Sequence, residues 1–160
     1  MSDFLNLGIG PEFIDHGTSD DYYTPPYIFE ALGCTFDLDV CAPPDGLPWI
    51  PAKASIDMIQ DGLIVDWVGR IWMNPPYSNP GPWVRKFAQH NNGIALVPMS
   101  KSQWFVDLWD QAGGIITLPP QLKFLRPSGE SASIVMPCVM VAYGNENVEI
   151  LANSGLGRVR

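Results

Sequence analysis

Clustered metal ligands, long apolar runs and basic residues in the first half are all scarce in this sequence, and each shortage removes a class of function. The two histidines, His16 and His90, are far apart, and Cys34, Cys41 and Cys138 form no C-x-x-C pair. Metal-ligand spacing is therefore absent, and no bound metal is expected. Three isolated cysteines fit reduced thiols in a cytosol better than a disulfide framework. The longest apolar stretch, Ile134 to Tyr143, is interrupted by Pro137, and the amino terminus carries Asp3 and no basic region. Neither a membrane span nor a signal sequence is expected. Only Lys53 and Arg70 precede residue 81, against twelve acids, whereas seven basic residues and five acids follow it, for a net charge of −8. Binding to phosphates would have to use a local basic face in the second half, and scattered surface charge is the plainer alternative.

What is present is one domain's worth of core: 160 residues, 46% of them hydrophobic. The chain is organised around Arg70-Ile71-Trp72-Met73-Asn74-Pro75-Pro76-Tyr77-Ser78. Arg70 to Met73 predicts a short buried strand, and the two prolines end it by removing two backbone donors and fixing φ at both positions. Asn74 is thereby held just past the carboxyl end of a strand, where open α/β sheets place their ligands. Average residue usage would produce Asn-Pro-Pro-Tyr by chance in such a chain with probability on the order of 10⁻³ or less.

In chain order, residues 1–21 predict an irregular arm. Tyr27 to Gly33 predicts a short helix, for which Thr24 is a plausible cap and Pro25 and Pro26 suit the first turn. Thr35 to Cys41 alternates Phe36, Leu38 and Val40 against Asp37 and Asp39, as a strand would. Asp39 then lies near a carboxyl end, where an acid meets a ligand's cationic group or ribose hydroxyl, although both acids also suit a solvated face. Trp83 to His90 predicts a helix, with Trp83 and Phe87 in the core. Gly93 to Met99 predicts a buried parallel strand. Ser100 or Ser102 is placed to cap a helix carrying Trp104, Phe105, Leu108 and Trp109. Strands are expected at Ile115 to Leu118, Leu122 to Leu125 and Ile134 to Tyr143, with a polar loop from Arg126 to Ser133. Glu146 to Arg160 shows no motif. The domain is expected over residues 22–145, followed by a tail, 146–160.

Asn74-Pro75-Pro76-Tyr77 resembles the catalytic motif of S-adenosylmethionine-dependent amino-methyltransferases. Tyr23-Thr24-Pro25, Phe36 to Ala42, Asp61-Gly62-Leu63, Ala95 to Pro98 and Trp104-Phe105 follow the order found in small phage-type, Dam-like DNA N6-adenine methyltransferases. The likeness runs from about Asp21 to Gly144. It implies an α/β doubly wound, mostly parallel Rossmann-like sheet with a closing antiparallel hairpin, in compact form. It also implies work on DNA in the cytoplasm of a bacterium or phage-infected host cell. S-adenosylmethionine is the implied cofactor, held by Thr24, Pro25, Asp39, Cys41, Asp61, Gly62, Leu63 and Asn74. Two departures stand out. No Gly-x-Gly follows the first strand, where Pro43-Pro44-Asp45-Gly46 stands instead, and the stretch before Asp61 has no room for a helix, a strand and a second helix. Asp45 and Asp57 are the candidates for a ribose-binding acid.

The resemblance implies catalytic roles for Asn74, Pro75, Pro76 and Tyr77. An adenine amino nitrogen is a poor nucleophile, and a stacked base cannot present it, so the base is flipped out. The Asn74 oxygen and the Pro75 carbonyl would accept its two hydrogens and aim its lone pair. Tyr77 would stack on the ring, a contact of about 1–3 kcal/mol. DNA contacts are expected from Tyr77, Ser78, Lys123, Phe124 and Arg126. With few segments to spare, base readout should cover only a handful of base pairs. The same acceptor geometry suits a protein glutamine amide or an RNA base, and a binding module without turnover would share the fold.

Overall fold

In the computed structural model, residues 22–57, 60–118, 122–132 and 137–160 are described. The expected arm at 1–21 and the start of the strand expected at Ile134 lie outside them. Strands β1 (Phe36–Ala42), β2 (Ala52–Asp57), β3 (Ile71–Met73), β4 (Gly93–Pro98), β5 (Gly114–Thr117) and β8 (Cys138–Tyr143) form one sheet in the order β2-β1-β3-β4-β8-β5. The first four are mutually parallel, and β8 runs antiparallel between β4 and β5. Strands β6 (Phe124–Leu125) and β7 (Ser131–Ala132) make a separate small hairpin. The chain leaves β1 toward β2 and returns on β1's other side as β3, so the strand order reverses between β1 and β3. A crevice opens at such a reversal, beyond the strands' carboxyl ends.

Alternation along the strands divides the core into two layers. In β4, Ala95 and Val97 face helices α2 (Gly81–His90) and α3 (Gln103–Gln111) together with Phe87, Phe105 and Leu108. Ile94 and Leu96 face the other way, toward α1 (Pro26–Leu32) and α4 (Asn145–Asn153), where Ile28, Phe29, Trp72 and Leu151 are buried. Each fully buried large side chain stabilises the fold by about 1.5–3 kcal/mol. Prolines open α1, as expected, and α2 too, and Gly33 (φ 63) and Asn91 (φ 58) close them in the left-handed conformation.

Three expectations change. Thr24 does not cap α1: the residue before the helix is Pro25, no side chain caps it, and the Thr24 hydroxyl points elsewhere. Ser102 opens α3 but makes no capping bond; its Oγ accepts from the Ser100 hydroxyl, and its N–H donates to Ser100 Oγ. The stretch without a motif, 146–160, contains most of α4, which packs on β8, β5 and α1 and buries Leu151 completely. In the compressed interval before Asp61, the strand is present as β2 and no helix occurs among the described residues.

Candidate active site

Beyond the carboxyl ends of β1 and β3 lies a cavity of about 300 Å³, walled by Tyr22, Tyr23, Thr24, Asp39 to Pro44, Leu47, Ile50, Asp57, Asp61, Gly62, Trp72, Asn74, Pro76 and Trp83. Asn74 stands where strand β3 stops. Its Nδ2 donates to the carbonyl of Tyr22 and to Thr24 Oγ1, each at 3.2 Å. The amide nitrogen is thus turned into the protein, and Oδ1 accepts no bond from any described residue. Pro75 is buried beside it.

Asp39 ends up inside, at 3% exposure, and the solvated face it might have shared with Asp37 is not where it lies. Burial pushes its carboxyl up to about 7, and the Cys41 N–H, 3.3 Å from Oδ1, offsets only part of that. No cation pairs with it among the described residues. Asp57, the last residue of β2, lines the same cavity and caps the next turn by accepting from the Gln60 N–H at 3.2 Å. Asp45 faces an adjoining hollow with Lys53 and Ser55 instead.

Asp61 sits at φ 57, a conformation that costs a non-glycine residue energy, and recovers some of it by accepting from the Leu63 N–H at 3.0 Å. Gly62 next to it has no space for a methyl group: a Cβ would lie 2.3 Å from the Val40 carbonyl and 2.7 Å from the Trp83 ring. This turn is clamped from α2, where Lys86 Nζ donates to the carbonyls of Gly62, Leu63 and Val65 and lies 4.9 Å over the Trp67 ring. Trp67 Nε1 donates to the Gly62 carbonyl as well, at 2.8 Å.

Of the expected cofactor residues, Thr24, Asp39, Cys41, Asp61, Gly62 and Asn74 share the cavity wall, whereas Pro25 and Leu63 do not line it. Pro76 lines the cavity and Tyr77 does not; the Tyr77 ring is 8% exposed and its hydroxyl is 3.5 Å from Cys138 Sγ. Burial raises the Tyr77 hydroxyl's pKa well above its ordinary value. Ser78 and Lys123 are exposed, while Phe124 is a core residue at 1%. Arg126 is turned inward: its guanidinium donates to the Tyr22 hydroxyl at 2.9 Å and lies 4.8 Å from that ring's centre. Sequence reasoning gave no site role to Tyr22 or Tyr23, although Tyr23 belongs to the Tyr23-Thr24-Pro25 segment that carries the resemblance. It assigned Trp83 to the core alone, whereas the half-buried ring also walls the cavity. Lys86 gave no local signal, because the carbonyls it donates to lie more than twenty residues away.

The profile of the DNA N-6-adenine-methyltransferase (Dam) family matches residues 14–135. A DNA N-6-adenine-methyltransferase of Haemophilus phage HP1 (strain HP1c1) is 36% identical over 97 residues, covering 54% of each chain. This chain thus spans about half the length of that curated relative. The profile match covers well over half of the sequence, and with it the chain belongs to the DNA N-6-adenine-methyltransferase family.

Proposed function

We propose that this chain transfers a methyl group from S-adenosylmethionine to the exocyclic N6 of adenine in DNA. The observation that carries the reading is the Asn74 amide, held at a strand's carboxyl end with its nitrogen satisfied and its oxygen left for a ligand's donor. The cavity's other residues suit the donor. Asp39 is a buried acid with no counter-charge among the described residues, Gly62 packs against the Val40 carbonyl and the Trp83 ring with no room for a side chain, and Trp72 Nε1 is buried without a hydrogen-bond partner among them. Such a wall fits a cationic amino acid joined to an adenosine.

When bound, S-adenosylmethionine would supply an electrophilic methyl group on a sulfonium. Asp39 would hold the cationic end, Asp57 the ribose hydroxyls and Asp61 the donor's adenine amino group. Asn74 Oδ1 and the Pro75 carbonyl accept the two hydrogens of the target amine, which draws its nitrogen toward tetrahedral geometry and aims the lone pair. Rigid prolines on both sides of that carbonyl keep the acceptors in place before the base arrives, so little reorganisation is needed. DNA would meet the exposed Ser78 and Lys123, and the buried Tyr77 ring becomes a platform for the extruded base only once docking uncovers it. Arg126, whose guanidinium is held by Tyr22, would reach DNA only by giving up that contact.

The test is incubation with methyl-labelled S-adenosylmethionine and DNA, followed by nucleoside analysis and mapping of the methylated positions. Label is expected in N6-methyladenine, at sites defined by few bases. Label in another nucleoside, or none at all, would overturn the reading.

A further inference from the structure

Position 74 needs an oxygen facing the reacting amine, yet an asparagine amide is nearly symmetrical in shape and could as well present its NH₂ group. An NH₂ group there would meet the amine's own hydrogens, donor against donor. Something must choose between the two rotations, and three observations identify what does. The carbonyl of Tyr22, 3.2 Å from the amide, can only accept, so the atom beside it must be the donor nitrogen. The Thr24 hydroxyl, 3.2 Å away and 1% exposed, takes the second N–H, so that neither hydrogen is left for the cavity. The segment carrying both groups is tied down from three directions. Tyr23 exchanges backbone hydrogen bonds with Leu125 at 2.7 and 2.9 Å, Trp49 Nε1 donates to the Thr24 carbonyl at 2.8 Å, and Arg126 holds the Tyr22 hydroxyl at 2.9 Å.

We infer that Thr24, together with the main-chain carbonyl of Tyr22, is a positioning residue that locks the Asn74 amide with Oδ1 toward the cavity. The role rests on the methyl-transfer reading above and differs from the cofactor contact implied for Thr24. A main-chain carbonyl against the amide restricts the residue type at 74 as well. An aspartate there would keep one oxygen for the amine but set its other oxygen against the Tyr22 carbonyl, two acceptors at about the distance of a hydrogen bond.

The experiment compares the wild-type chain with Thr24→Val, Thr24→Ser and Asn74→Asp, reading donor affinity by calorimetry, kcat on DNA, and hydrogen exchange of the Asn74 side-chain amide by NMR. Thr24→Val, which keeps shape and loses the acceptor, should exchange the Asn74 NH₂ hydrogens faster. Its kcat should fall about five- to tenfold, the worth of one neutral hydrogen bond, with donor affinity within a few-fold. Thr24→Ser should restore both, and Asn74→Asp should lose more kcat than Thr24→Val. Unchanged amide exchange in Thr24→Val overturns the inference, whether or not the chain methylates DNA. A loss of donor affinity with kcat preserved assigns Thr24 to the cofactor alone and overturns it too. Protected amide hydrogens in a wild-type chain that methylates nothing would instead leave the lock in place and remove the reading beneath it.

Discussion

Asp37 and Asp39 stand two residues apart on β1, yet they belong to opposite ends of the sheet and have opposite fates. At the amino end the charged and amide side chains are joined to one another, although the buried Tyr143 hydroxyl has no partner among the described residues. Asp37 accepts from the Arg70 N–H at 2.8 Å and pairs with Lys53 at 3.3 Å, and these contacts hold its carboxyl below the ordinary range. Arg70 continues the network, donating to Asn147 Oδ1 at 2.7 Å and pairing with Glu146 at 3.3 Å. Asn147 in turn donates to Asn92 Oδ1 at 2.7 Å and to the Tyr143 carbonyl at 2.8 Å. At the carboxyl end, among the described residues, Asp39 is buried without a cation and Asn74 Oδ1 accepts no bond. A completed polar network holds a fold together, whereas a buried polar group left waiting costs stability and marks a place for a ligand.

The comparison breaks most visibly at Asn74. Asn74→Ala should lower kcat by about 10²–10³ while donor affinity stays within a few-fold and melting is little changed. Methylation at near-native rate would place the chemistry elsewhere. Asn147→Ala, its counterpart at the amino end, should do the reverse. Unpairing Arg70 and Asn92 is expected to cost about 2–3 kcal/mol in denaturant unfolding, with kcat per folded molecule preserved.

Within the carboxyl end, Asp61→Ala should weaken donor binding by roughly 1.5–3 kcal/mol, and more than Asp57→Ala does. Equal calorimetric affinities for the two variants would take Asp61 out of the site. The smallest effect is that of pH. Asp37, with a lowered carboxyl, contributes stability that is lost as pH falls through its folded value. Asp39, with a raised one, contributes stability at low pH that is lost as pH rises from the ordinary carboxylate range through about 7. A cationic donor favours the ionised Asp39, so its affinity should fall below about pH 7 by up to about 1.4 kcal/mol per pH unit. Asp39→Asn should flatten that slope, and a titration in which it does not would detach Asp39 from the donor.

Much of the carboxyl end was legible in the sequence, because Asn74-Pro75-Pro76 follows an apolar run and the alternation at Phe36 to Val40 is local. The central strands and α2 followed from the same short-range periodicities. What escaped was non-local or weakly patterned. Whether Thr24 caps a helix or binds Asn74 depends on where residue 74 is brought, fifty positions on. Lys86 and Arg126 looked like surface cations, and only the fold shows them folded back onto carbonyls and a tyrosine. Strand β2, with Lys53, Ala54 and Ser55 exposed at the sheet's edge, lacks an apolar signature, and α4 has a mixed face whose burial comes from what it packs against.

The position of β8 also bears on how the chain is made. It is the last of the described strands in chain order, yet it is inserted between β4 and β5, pairing with both along most of its length. Until residue 143 has left the ribosome, β4 and β5 each present an apolar, hydrogen-bonding edge with nothing to pair with. Completion of the sheet is then a single late, long-range event, of the kind that slows folding and exposes intermediates to aggregation. A nascent chain stalled before β8 should accordingly bind chaperones, and one stalled after α4 should release them.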